Sequence, residues 1–145
     1  MKRQYIYIII GICLLLTSCH LVTSNNGALD GLWQGMMKED LTTGEVVDLR
    51  DFQATWAFQG GMVQMNSTTF PPSHVIGKFE RGDKMLRVYH MAVFTHGQGD
   101  TPIEDVSMLS VFGFTQLDET FQILELNDNA LRLQNSKVRL TFRKY

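Results

Sequence analysis

Cysteine and histidine are the side chains best suited to nucleophilic or metal chemistry, and their spacing limits what they can do here. The chain holds Cys13 and Cys19, with His20, His74, His90 and His96. On one continuous strand His90 and His96 share a face but stand about 20 Å apart, at about 3.3 Å per residue. That is too far to hold one metal ion. Asp100 and Glu104 lie nearby in the chain, yet the plainer reading is two surface histidines flanking a loop. Glu104 and Asp105 could pair for acid–base work, but neighbours on a strand face opposite ways. No G-x-S-x-G or H-E-x-x-H occurs, and Gly97-Gln98-Gly99-Asp100 lacks a following helix with a lysine. The residues therefore point to no catalytic group, no metal ligand and no cofactor, and to binding rather than catalysis.

Cys19 has a different chemistry. Lys2 and Arg3 precede an uninterrupted apolar segment, Tyr5 to Leu16. It falls short of the roughly 20 residues that span a bilayer but suits the apolar region of a secretion signal. A buried N-terminal helix or strand is the alternative, and the segment offers no polar face for it. Leu16-Thr17-Ser18-Cys19 resembles the bacterial lipobox, at which a diacylglyceryl group is attached to cysteine before cleavage just ahead of it. A thiolate is the nucleophile such a transfer needs, and no alanine is present to form an ordinary A-x-A-like site. The expected organisation is a signal peptide over 1–18, a flexible tether over 19–28 (HLVTSNNGA follows Cys19), and a folded domain over 29–145. Cys13 leaves with the signal, so Cys19 is the only remaining cysteine, which excludes a disulfide framework and a cysteine-built zinc site. Acyl chains contribute about 0.8 kcal/mol per buried methylene and hold such a protein on a membrane. With no aspartate beside Cys19 and no acidic cluster beyond it, resemblance to Gram-negative sorting rules implies the outer membrane, periplasmic face.

The elements that must position any site read as strand. The 13 basic and 15 acidic residues nearly balance, and the basic ones are scattered, which argues against nucleic-acid binding. The length suits one domain. FQATWAFQ puts Phe52, Ala54, Trp56 and Phe58 on one face, and Gly60-Gly61 marks a hairpin. Pro71-Pro72 breaks pairing, after which HVIGKFE and KMLRVYHMAVF flank Arg81-Gly82-Asp83. FQILEL, ALRLQ and VRLTFRK close the chain, the last alternating Val138, Leu140 and Phe142 against Arg139, Thr141 and Arg143. Residues 103–114 fit a helical stripe (Ile103, Val106, Leu109, Phe112) or a strand face (Val106, Met108, Phe112, Phe114), and strand is the favoured reading. Seven to nine sequential hairpin strands expose edges unless the sheet closes, so an all-β, antiparallel up-and-down barrel is expected, with a two-sheet sandwich as the alternative.

ALDGLWQG carries Gly31-x-Trp33 on the first strand and resembles the G-x-W signature that opens lipocalins. TWAFQGGMVQM resembles the second-to-third strand hairpin of short bacterial lipocalin-like domains, and FQILELNDNALRLQNSKVRLTFRKY their closing hairpins. The resemblance implies an open-ended barrel that holds a small apolar or amphipathic molecule or is filled by side chains. Gly31 and Trp33 would form its base, and Trp56, Phe58, Phe79 and Tyr89 would line the interior. Met62, Met65, Met85 and Met91 add adaptable apolar volume. It also implies a basic residue across the tryptophan. Arg139 and Arg143 are the candidates, and alternation sets both opposite the apolar face. An eight-stranded barrel is wide enough for either filling. If side chains fill it, the protein would serve as a structural or interaction subunit of an envelope complex, with loops 66–73 and 95–105 as its contact surface.

Overall fold

Most stretches with period-two apolar residues form strands, and the strands close on themselves. The computed structural model describes residues 24–145, so the signal segment and Cys19 lie outside the described residues. Ten strands follow in order: β1 (Gly31–Asp40), β2 (Val46–Asp48), β3 (Thr55–Gln59), β4 (Met62–Asn66), β5 (His74–Arg81), β6 (Met85–Val93), β7 (Thr101–Pro102), β8 (Glu119–Leu126), β9 (Ala130–Gln134) and β10 (Val138–Lys144). Eight of them make a closed antiparallel barrel, running β1-β3-β4-β5-β6-β8-β9-β10 and back to β1. The closing ladder pairs Trp33 with Lys144 at one end and Asp40 with Val138 at the other. Closure removes the unpaired edges that a sandwich would leave. The short strands β2 and β7 add to the outer ends of β1 and β6.

Alternation along each strand sends one set of side chains inward. Trp33, Trp56, Phe58, Val63, Met65, Val75, Leu86, Val88, Phe121, Leu131, Leu133, Leu140 and Phe142 are all buried. A bulge in β6 interrupts the pattern. Ile76 pairs with Ala92 but Lys78 with Tyr89, so His90 and Met91 together oppose Gly77. His90 takes the extra position at φ 53°, in the left-handed region, and Met91 returns to the interior.

Residues 103–114 do not form the strand favoured by the sequence. Val106–Phe112 is a 3-10 helix, capped at its start by the Asp105 carboxylate, which accepts from the Ser107 N–H. Gly113 ends it at φ 82°, donating to the Leu109 and Ser110 carbonyls. Ile103, Val106, Leu109 and Phe112 recur every three residues, which is the period of this helix type and puts them on one side. Leu109 and Phe112 are fully buried. The helical stripe, the reading not favoured, describes this segment.

Candidate functional site

Base of the barrel. Trp33 closes the end from which β1 starts, and its indole N–H donates to the Leu29 carbonyl at 2.8 Å. Lys144 lies across its ring, Nζ 4.9 Å from the centroid, and donates to the Ala28 carbonyl at 2.8 Å. Gly31 makes this possible twice over. Its φ of 112° suits glycine, and an added Cβ would sit 3.2 Å from the Lys144 side chain. Arg139 and Arg143 instead face outward, donating to Glu39 at 3.0 Å and Gln34 at 2.7 Å. The basic partner of Trp33 is therefore Lys144, neither of the two arginines. Its signal was present in the chain, because Lys144 continues the alternation of Leu140 and Phe142.

The segment before β1 is docked onto this base. Ser24 Oγ accepts from the Gly60 N–H at 2.7 Å, and Asn26 donates to the Gly60 carbonyl at 2.7 Å. Arg81 donates to the Asn26 carbonyl. Residues 24–28, read from the sequence as the end of the tether, belong to the folded body. Asp30 gathers Ser24 and Asn26. Burial pushes its carboxyl upward, but these hydrogen bonds outweigh it and hold it below its ordinary value.

Interior and far end. Trp56 meets Phe142 at 5.3 Å, Phe114 at 5.8 Å, and Phe58 and Phe121 at 5.9 Å between ring centroids. Phe58 adds Phe79 at 5.1 Å and Phe114 adds Phe121 at 5.5 Å. These separations are those of rings in direct tilted or edge-on contact. Phe114 arrives from the 3-10 segment, which lies across the end opposite Trp33. Lys38 donates to the Ser110 carbonyl at 2.8 Å, and Asn135 to the Gly113 carbonyl at 3.0 Å. The buried Glu119 accepts from the Thr115 N–H and hydroxyl, both at 2.8 Å. Burial lowers the Lys38 ammonium, against the opposing pull of Glu45 and Asp40. The sequence-predicted lining residues Trp56, Phe58 and Phe79 thus converge, but on one another and on Phe114.

Tyr89 does not join them. Alternation with the buried Leu86 and Val88 sets it on the outer face, where its hydroxyl donates to Glu80 at 2.9 Å and Arg87 lies 4.4 Å from its ring centroid. Met62 and Met85 also face outward and are exposed, whereas Met65 and Met91 are inside. His90 meets Tyr89 edge-on, as His96 meets Phe94. Among the described residues no three His, Cys, Asp or Glu side chains converge.

The outer wall carries concave surfaces that sequence reasoning missed. One, of about 480 Å³, lies over β1, β3 and β4 and is bordered by Gln34, Gln53, Thr55 and Tyr145. Another, about 270 Å³, lies beside the β6 bulge between Tyr89, Leu117 and Pro102. Neither had a sequence signal, since each gathers polar or isolated apolar residues from separate strands and loops.

Comparison with known proteins agrees with this architecture. No curated protein matches the chain. A crystal structure of a lipocalin-like protein from Bacteroides uniformis superimposes with a TM-score of 0.61 at 20% identity, covering 82% of this chain and 100% of that one. A crystal structure of an uncharacterized protein from Bacteroides eggerthii gives 0.57 at 20% identity, covering 81% and 99%. At that identity the likeness is one of fold. The family model for the lipocalin-like domain matches residues 14–145, and the chain belongs to that family.

Proposed function

We propose that this protein is a non-catalytic, lipid-anchored barrel of the cell envelope that binds through its outer surface while its own side chains occupy the interior. One observation carries the reading: Trp56, at the centre of the barrel, is surrounded at ring-contact distance by Phe58, Phe114, Phe121 and Phe142. Interiors packed in this way resist added volume, because overpacking costs about 1–3 kcal/mol. The Leu16–Cys19 motif supports attachment at Cys19, and the residues after it support the periplasmic face of the outer membrane. Cys19→Ala should abolish acyl-chain labelling.

A second reading is favoured by the 3-10 segment. It is one continuous stretch over the far end of the barrel, and displacing it would uncover Trp56 and Phe121 to a small apolar or amphipathic molecule. Native mass spectrometry of the folded protein beside its denatured mass separates the two, together with titration by the apolar fluorophore anilinonaphthalene sulfonate. Equal masses and no saturable uptake are expected. Mass lost on denaturation, or stoichiometric uptake, would replace the first reading with the second.

A further inference from the structure

We propose that the depression over β1, β3 and β4 is a binding site for a neutral saccharide, held between the Gln53 amide and the Tyr145 ring. The inference rests on the outer-surface reading and names its ligand class. The depression, open to solvent on its outer side, has a volume of about 480 Å³, comparable with small-molecule pockets. Its lining is amides and hydroxyls. Arg50 is its one charged side chain, and that charge is matched by Asp48 at 2.6 Å. Gln53 accepts the Thr68 hydroxyl at 2.9 Å through Oε1, so its Nε2 donors have no partner among the described residues. Gln34 accepts from Arg143 at 2.7 Å and is left with free Nε2 donors in the same way. Asn66 is held by Gln64 at 3.0 Å and His74 at 2.7 Å, which stiffens the floor.

Oriented, uncharged donors and acceptors suit a ligand that is itself rich in hydroxyls. They suit neither a wholly apolar molecule, which would strip them of water without replacing it, nor an ion, which would meet no opposite net charge. Tyr145 supplies the complementary element. It is 72% exposed at the rim, and its backbone N–H is tied to the Leu32 carbonyl at 3.0 Å, which holds this part of the chain beside β1. A pyranose has a polar edge and an apolar C–H face, and the rim offers an aromatic face beside amide donors. Gln53 sits at φ 48°, in the left-handed region where glycine would be unstrained, so its side chain can be removed without disturbing the backbone.

Calorimetric titration and saturation-transfer NMR of the whole chain test the site, using cellotriose, maltotriose and triacetylchitotriose, with trigalacturonate as the charged control. At least one neutral trisaccharide should bind saturably. Tyr145→Ala and Gln53→Gly should each weaken it about tenfold, the loss of one good contact. Gln53→Gly keeps the backbone conformation, so its melting temperature should match or exceed that of the unaltered protein while binding falls. The proposal fails if no neutral trisaccharide binds at about 10 mM, a concentration that detects even millimolar affinity. It also fails if trigalacturonate binds best, or if both variants bind like the parent. Uptake of the apolar fluorophore into the barrel would sink the outer-surface reading instead, whatever the sugars do, so the two failures are distinct.

Discussion

Phe112→Ala decides whether the 3-10 segment is core or lid. Phe112 is 1% exposed and sits on the segment closing the end opposite Trp33. If the segment is part of one cooperative core, truncating a buried phenylalanine should cost about 3–5 kcal/mol, from lost transfer energy and the cavity left behind. A detachable lid behaves otherwise. Once the weakened segment has swung away, the rest of the barrel no longer feels the mutation. The global loss is then limited to the free energy of opening, which for a mobile segment approaches zero. Urea unfolding reads the difference directly, with the buried Trp33 and Trp56 as fluorescent reporters. For an m-value of about 2 kcal/mol per molar, the core case lowers the midpoint by about 2 M at unchanged slope. The filled-barrel reasoning would be refuted by a single transition with a global loss below about 1 kcal/mol, together with new uptake of the apolar fluorophore.

Two further outcomes follow from the base of the barrel. Lys144→Met keeps the stem but removes the charge over Trp33 and the donor to Ala28. It should cost about 1–2 kcal/mol by urea unfolding, whereas Arg143→Met, on the outer face, should cost about 0.5 kcal/mol or less. Asp30 predicts acid sensitivity. Its folded-state carboxyl lies below the ordinary aspartate value, so the unfolded chain binds its proton first. Its stabilisation is therefore complete above that value and is lost as pH falls through the folded pKa. Asp30→Asn should flatten this part of the pH–stability curve, and an unchanged acid limb would show that Asp30 is not its source.

What could be read in the sequence was whatever repeats locally. Alternation in FQATWAFQ and VRLTFRK, broken by Gly60-Gly61 and the Asn-rich turns, was enough for strands, hairpins and, through the edge argument, a closed barrel. The G-x-W triplet led to the base and to the family. Residues that tertiary contact alone arranges were less legible. Residues 103–114 carried both a helical stripe and a strand face, and the fold chose the 3-10 helix, with Leu109 and Phe112 buried and Phe114 set against Trp56 and Phe121. Tyr89 shares the two-residue period of Met91 but not that of Leu86 and Val88, and only the bulge between them, a two-against-one pairing between strands, separates the two phases. Lys144 lay on the right face all along, but its role depended on closure, which brings the last strand beside the first. The amide-lined depression is the furthest from any sequence pattern. Gln34, Gln53 and Tyr145 become neighbours only because β10 pairs with β1 and β1 with β3, so the chemistry of that wall belongs to the fold and not to any segment of the chain.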